Sequence, residues 1–450
     1  MKGAVSDMLD FLKKQPSVRI IAFGFLSVIL IGSLLLMMPF CLKSGVRLEY
    51  IDALYTSTSA VCVTGLVTVD AGATFSPIGQ AILAVLMQVG GLGVATVGAG
   101  VILAMGKKMN LKSLSLIKES SNLYSGKGIK GFVRDIFVTT VIIEAVGAVL
   151  SFIVFVRDLP VLTAIGVSIF HSIASFNNSG FDILGGLTKL DGTSFQPFES
   201  LMPYQNDLLL NVTTALMVIL GGIGFLVIRD VIGNRFRWKR FSMHTKVVLS
   251  MSAVLLGVGT LLFKLTEDMS WLGAFFFSVS ARTAGFSTYP VGGFSSAGLI
   301  ILSVLMYIGA SPGSTGGGVK TTTFYALLEG IRSSATNKSE KAFKYSIPKD
   351  AFRKASVIAI LSLLVILSGS FLMSVFEPTL GLTDILVETV SAFGTVGLSR
   401  GITPSLTWAS KLLSMVMMYI GRLGPLTIAS LWYFSRGERF SYPEGNLAIG

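Results

Sequence analysis

Long apolar stretches and short polar runs alternate along this chain with a regular beat. Apolar segments of about 20 residues, the length that carries a helix across a hydrocarbon core of roughly 30 Å, run over 18–41, 77–105, 132–156, 206–229, 246–265, 297–329, 353–376 and 404–434. They predict eight membrane spans. Between the first and second span of each pair lies a shorter apolar segment of about ten residues, such as 51–60 or 383–392, a helix reaching only about 15 Å. Half the core is too little to cross, so these segments predict re-entrant pore helices.

The polar run after each short segment follows one grammar. The four read ALYTSTSAVCVTGLVTVD around Gly65, FHSIASFNNSGFDI around Gly180, AFFFSVSARTAGFSTY around Gly285 and LVETVSAFGTVGLSRG around Gly397. A hydroxyl residue (Thr64, Ser179, Thr283, Thr395) stands one or two places before each glycine, and Leu66, Phe181, Phe286 or Leu398 follows it. Any one glycine in a chain holding 49 reads as a packing or loop residue. The shared register, returning roughly every 110 residues, instead marks one unit copied four times. The fold class predicted is an all-α polytopic membrane protein. Four pseudo-symmetric helix, pore-helix, filter and helix repeats, over about 18–110, 130–235, 244–334 and 350–436, surround one central pore in a single domain, 1–450.

Polar backbone at membrane depth lacks water and must be buried in protein or line a wet cavity. Four such loops meet that condition together by surrounding one axis. Each pore helix then points its C-terminal end, worth about half a negative charge, at the centre, which favours a cation. Carbonyls of Val63, Thr64 and Gly65, Asn178, Ser179 and Gly180, Thr283, Ala284 and Gly285, and Thr395, Val396 and Gly397 are the candidate filter that replaces a cation's water shell. The glycines supply backbone angles that other residues adopt only with strain.

Composition agrees with the pattern. Of 450 residues 52% are apolar and 13% charged, and the mean hydropathy is +0.74. A net charge of +12 raises nucleic acid as a partner until the basic residues are placed. Lys2, Lys13, Lys14 and Arg19 precede the first span; Lys107, Lys108, Lys112, Lys118, Lys127, Lys130 and Arg134 follow the second. Arg229, Arg235, Arg237, Lys239, Arg240 and Lys246 follow the fourth, and Arg332, Lys338, Lys341, Lys344, Lys349, Arg353 and Lys354 the sixth. The loops carrying the glycine runs hold few, so the positive-inside rule predicts cytoplasmic termini and loops entering from outside. Nucleic acid is excluded as a partner. Cys41 and Cys62 show no metal-ligand spacing, and the first apolar span reads as a retained helix, not a signal peptide.

The second span of each pair carries MQVGGLG at 87–93, VILGGIG at 218–224, MYIGASPG at 306–313 and MYIGRLG at 418–424. Small residues let helices approach, and the first two copies read as packing glycines. The third runs on through Gly309, Ala310, Ser311, Pro312, Gly313, Ser314, Thr315, Gly316, Gly317, Gly318, Val319 and Lys320. So much Gly and Pro breaks a helix, predicting a movable barrier beneath the filter. It superficially resembles a phosphate-binding loop, but Val319 separates Gly318 from Lys320 and no strand precedes it. In the fourth copy Arg422 stands where the third has Ala310. A charge at that depth is costly and faces protein or water, where it would repel permeating cations or pair with helix-end carbonyls. Asp52, Asp70, Asp182, Asp384 and Glu388, near the pore helices and filter mouths, read as caps or solvated residues that also draw cations in. Arg282 is expected to turn away from the axis and brace its loop; His171 and His244 read as structural.

DALYTSTSAVCVTGL, SFNNSGF, RTAGF, SAFGTVGL, GGLG, GRLGPLT and the closing YPEGNLAIG resemble the Trk/Ktr/HKT superfamily of potassium transporters, over nearly the whole chain. Within it the chain looks most like the membrane subunits of bacterial Ktr systems, since there is no room for the two additional N-terminal helices typical of TrkH. The resemblance implies potassium at the four filter runs, a gating loop at Gly309–Thr323 and a barrier at Arg422. It further implies sodium stimulation, a homodimer in the bacterial plasma membrane, and a cytoplasmic ring of KtrA-type RCK subunits that bind ATP or ADP. The departure is the Val61-Cys62-Val63 run of the first filter, which makes the four-fold symmetry approximate. An alternating-access cation transporter is the competing reading and predicts inverted repeats. An intramembrane enzyme lacks any supporting motif.

Overall fold

The computed structural model describes residues 15–105, 115–117, 129–348 and 350–430. Lys2, Lys13, Lys14, Lys107, Lys108, Lys112, Lys118, Lys127, Lys349, the end of the last apolar segment and YPEGNLAIG lie outside the described residues. The first unit comprises α1 (Ser17–Leu36), the pore helix α2 (Tyr50–Val61), a single turn α3 (Ala71–Thr74), α4 (Pro77–Leu92) and α5 (Val94–Ala104). The second runs through α6 (Ile129–Phe155), α7 (Val161–Phe176), α8 (Leu208–Ile223) and α9 (Phe225–Gly233). The third follows as α10 (Met243–Thr266), α11 (Trp271–Thr283), α12 (Ser296–Tyr307) and α13 (Thr321–Thr336). After a hairpin of β1 (Lys341–Ala342) and β2 (Tyr345–Ser346), the fourth is α14 (Ala351–Phe376), α15 (Leu382–Gly394), α16 (Trp408–Leu423) and α17 (Pro425–Ser430).

The outer helices α1, α6, α10 and α14 are each long and apolar enough to cross a membrane. Their apolar residues do not all point inward. On α1 Ala22, Phe25, Ile29, Gly32 and Leu36 are buried at helical spacing, whereas Phe23 and Ile31 are 53% and 58% exposed. A water-soluble protein would cover faces of this size; lipid tails solvate them without cost.

Polarity inside is the reverse. Ser57, Ser59, Thr64, Asn177, Asn178, Ser179, Thr389, Ser391 and Thr395 are all fully buried around the pore-helix ends. Hydroxyls tie each pore helix to the outer helix of its own unit: Ser57 donates to Ile29 O (2.7 Å), Ser172 to Glu144 O (2.5 Å) and Ser278 to Leu256 O (2.8 Å), while Ser370 and Thr389 bond at 2.8 Å. Backbone carbonyls and hydroxyls are the partners left where no water reaches. The inner helices α4, α8, α12 and α16 each begin at a side-chain cap, Ser76, Asp207, Ser295 and Thr407, which accepts from the third backbone N–H beyond it.

The second segment of every unit departs from the expected straight span, not that of the third alone. α4 and α5 are bent by 99° at Gly93, and α8 and α9 by 96° at Gly224. Gly93, Gly224 and Gly424 sit at φ of +84°, +92° and +91°, a left-handed conformation that glycine enters readily. In the third unit the break widens into the loop between α12 and α13, whose base is pinned by Gly309 N donating to Val319 O at 2.9 Å. The glycines three places before each break pack as expected. A methyl placed on Gly90 would lie 2.1 Å from Val61 O, on Gly221 1.9 Å from Phe176 O, and on Gly421 1.8 Å from Phe393 O. In units one, two and four the inner helix is thus pressed against the last turn of its own pore helix, whereas Gly309 of the third abuts Gly317 O in the loop. The same short motif packs two helices and then ends one of them.

Candidate functional site

Where the pore helices end, the chain reverses. Val63, Asn178 and Thr395 take positive φ (+51°, +57° and +51°) just past α2, α7 and α15. There Thr64 N donates to Ser59 O (2.8 Å), Ser179 N to Ala174 O (2.9 Å) and Val396 N to Ser391 O (3.0 Å). The third unit differs: α11 continues through Thr283, and Ala284 N donates to Ser280 O at 2.9 Å. Symmetry is therefore approximate in backbone as well as in sequence.

The four run glycines meet. A methyl on Gly65 would lie 2.3 Å from Ser179 O, on Gly180 2.4 Å from Ala284 O, on Gly285 2.3 Å from Val396 O, and on Gly397 2.2 Å from Thr64 O. Each glycine abuts the carbonyl before the next unit's glycine, and the fourth returns to the first. The four hairpins close a ring. With φ of +88°, +69°, +79° and +98°, these positions exclude side chains on conformation and on space alike.

On one side of the ring a cavity of about 220 Å³ is lined by the four glycines together with Val67, Asp182, Ser287 and Ser399, two places beyond each. On the other side a cavity of about 180 Å³ is lined by Gly91, Gly93, Gly313, Ser314, Gly316, Lys320 and Arg422. Between them lies the loop of the third unit. Thr315 Oγ1 donates to Phe176 O (3.1 Å), Gly317 N donates to Thr395 Oγ1 (3.0 Å), and a methyl on Gly316 would lie 2.7 Å from Thr283 Cγ2. Ser311 N donates to Gly222 O (2.9 Å) and Gly313 O accepts from Phe225 N (3.0 Å). Ala310 and Ser311 are buried, with Ser311 Oγ and Thr321 Oγ1 2.8 Å apart, and Pro312 O lies 2.6 Å from a methyl on Gly224. Gly318, at φ +70°, completes the turn into α13. The loop touches the pore-helix ends of units two, three and four.

Arg422 reaches both neighbours of its own unit. Its guanidinium donates to Gly90 O and Gly91 O of the first unit, and to Thr315 O in the loop of the third. Lys320 Nζ donates to Gly316 O (2.7 Å) and Gly317 O (3.4 Å). Both cations are held by carbonyls and border the same cavity. The two roles expected of Arg422, helix-end pairing and a charge beneath the ring, are geometrically compatible.

Arg282 turns away from the ring, and its Nη2 donates to Gly309 O at 3.4 Å. Asp52 pairs with Lys411 (2.7 Å) and Asp384 with Arg400. Asp70 caps α3 through Ala73 N (2.7 Å) and accepts from Phe198 N (2.8 Å), and Asp182 accepts from Leu184 N (3.2 Å). His171 is buried, 2.8 Å from Thr214 Oγ1, while His244 borders a recess of about 490 Å³ beside α13 and α14. Glu388 contradicts its reading as a cap or solvated residue: it is fully buried and accepts from two hydroxyls. One intramembrane carboxylate went unread. Glu144 on α6 and Gln88 on α4 both accept from Asn177 Nδ2, at 3.2 and 2.7 Å. An acid midway along a 27-residue apolar helix, well beyond Asp135 near its start, is the signal that marks it. Among the described residues no group of three or more His, Cys, Asp or Glu could hold a metal ion, and both cysteines are free.

Four quasi-equivalent re-entrant hairpins closed into a ring inside a sheath of apolar helices define a multi-pass membrane transport protein, not an enzyme. The chain belongs to the family described as TrkH, cation transport protein, whose model matches residues 11–267 and 246–435. It is 35% identical to Ktr system potassium uptake protein B of Bacillus subtilis over 446 residues, covering 96% of each chain. It is 36% identical to the potassium/sodium uptake protein NtpJ of Enterococcus hirae over 456 residues, or 97% of this chain and 98% of that protein. The crystal structure of the potassium transporter TrkH from Vibrio parahaemolyticus shares the fold, with a TM-score of 0.72 at 17% identity over 93% of this chain and 86% of that one.

Proposed function

We propose that the chain conducts potassium across the plasma membrane through the glycine ring, with the runs 63–65, 178–180, 283–285 and 395–397 coordinating the dehydrated ion. The single observation that carries this reading is the closure of the ring, Gly65 on Ser179, Gly180 on Ala284, Gly285 on Val396 and Gly397 on Thr64. Carbonyls brought together from four hairpins can replace a hydration shell only around a common axis. Four helix C-termini aimed at that axis supply the negative potential. Ring closure by like ends of four units also disfavours the alternating-access reading, whose repeats run in opposite senses.

The loop 309–320 is the gate and Arg422 its latch. Three carbonyl contacts join the guanidinium to both flanking units, and the positive charges of Arg422 and Lys320 oppose a cation leaving the ring. The relatives named for potassium uptake and, in one case, potassium/sodium uptake support potassium as cargo; sodium stimulation of that uptake rests on the family resemblance. The basic segments at 235–240 and 338–344 support cytoplasmic termini and are compatible with a docking face for a nucleotide-binding RCK ring; the homodimeric assembly in the lipid bilayer rests on the family resemblance alone. The division at about 18–110, 130–235, 244–334 and 350–436 within one pore domain follows from the same repeat.

Purified protein in liposomes tests the reading. Saturable rubidium or potassium flux that exceeds sodium flux is the expected result. Equal flux of both ions, or none, would overturn it.

A further inference from the structure

The fourth pore helix carries three polar anchors on one face. Asp384, Glu388 and Ser391, at i, i+4 and i+7 of α15, hold successive parts of the segment that leaves the ring. Ser391 Oγ accepts from Gly397 N (3.0 Å), Glu388 accepts from Ser399 and Thr403, and Asp384 pairs with Arg400. The first unit has the outer two anchors in register, Asp52 and Ser59, with Ser59 Oγ accepting from Gly65 N at 3.0 Å. Its middle position is Thr56, a buried hydroxyl.

Glu388 is the singular element. It is fully buried; Oε2 accepts from Ser399 Oγ at 2.7 Å and Oε1 from Thr403 Oγ1 at 2.6 Å. Both hydroxyl residues line the 220 Å³ cavity over the ring. Two places beyond the ring glycine the other units carry Val67, Asp182 and Ser287; six places beyond, Ala71, Gly186 and Val291. Nine places before it they carry Thr56, His171 and Phe276. Only the fourth unit therefore combines a carboxylate behind the wall with two hydroxyls in it. A buried acceptor that satisfies two donors fixes both, and removing it leaves them free to turn into the cavity.

We infer that Glu388 is a positioning residue which, through Ser399 and Thr403, holds the outer wall of the fourth run rigid and thereby sets the ring's affinity for potassium and its discrimination against sodium. The inference rests on the ring being the ion path. Glu388 itself touches no ion; it acts through the wall.

The test compares wild-type protein with E388A, E388Q, the double variant S399A/T403V and the triple variant in liposomes, reading rubidium half-saturation, maximal rate and the potassium-to-sodium flux ratio. E388A raises half-saturation about tenfold, the loss expected for hydrogen bonds to a charged group, and lowers the flux ratio, with the maximal rate changed less. S399A/T403V reproduces that shift, and the triple variant adds nothing to it, because the three groups act as one unit. E388Q, keeping one carbonyl acceptor, lies between. Wild-type half-saturation and flux ratio in either E388A or S399A/T403V would overturn the inference, as would additive shifts in the triple variant. Should E388A fail to insert, S399A/T403V decides alone. Wild-type protein without potassium-selective flux would instead refute the ion-path reading itself.

Discussion

At the scale of single residues, the ring glycines are constrained twice, by φ and by the carbonyl of the next unit. Gly397 has φ +98° and faces Thr64 O, where even a methyl would lie 2.2 Å away. Strain of about 1–3 kcal/mol is compounded by the clash and, for Gly397→Asp, by a carboxylate in the ring. That substitution is expected to abolish rescue of potassium-limited growth at normal membrane abundance; undiminished rescue would contradict the ring's role. Arg422→Ala removes the carbonyl contacts proposed as a latch together with a charge, and a unit charge a few ångströms away is worth about 4 kcal/mol at intermediate polarity. Flux should rise, by about tenfold or more; a fall at equal expression would make Arg422 a support instead. The glycines were legible because one register recurs four times, and Arg422 because a charge inside an apolar helix is rare for physical reasons. Glu388 was not, since its donors lie 11 and 15 residues further on and no local pattern says which way a pore-helix carboxylate turns. Glu144 was legible in principle, as an acid inside an apolar helix, and its partners were not.

At the scale of elements, hydrophobic length found the outer helices and the pore helices closely: 51–60 and 383–392 against Tyr50–Val61 and Leu382–Gly394. It did not find the breaks in the inner helices. A glycine that packs and a glycine that ends a helix look alike in a small-residue motif; only the third unit's extra polar loop betrayed a break. The structure makes the break common to all four units and the loop its elaboration in one. That loop is fastened by Thr315 to Phe176 O, by Gly317 N to Thr395 Oγ1 and by Arg422 to Thr315 O. Deleting two or three residues within 313–318 withdraws these contacts together, each worth about 1 kcal/mol. Potassium flux through the shortened protein should exceed that of wild type by at least tenfold, measured as rubidium uptake per inserted protein. A drop in flux would show that the loop supports the path instead of blocking it.

At the scale of the whole molecule, one chain builds by repetition what a symmetric channel builds from four subunits. Repetition within one chain lets the copies diverge: α11 lacks the reversed residue, one unit carries the loop, another Arg422 and Glu388. The ring and its sheath of lipid-facing helices follow from the repeat, whereas these asymmetries carry the gating and selectivity proposed above. The central claim is that carbonyls of all four runs surround one cation. A crystal of the protein grown in rubidium, recorded at the rubidium absorption edge, tests it most directly. Anomalous density on the axis among Gly65, Gly180, Gly285 and Gly397 is the predicted result; a ring without density, while rubidium is bound elsewhere in the membrane-spanning part, would contradict it.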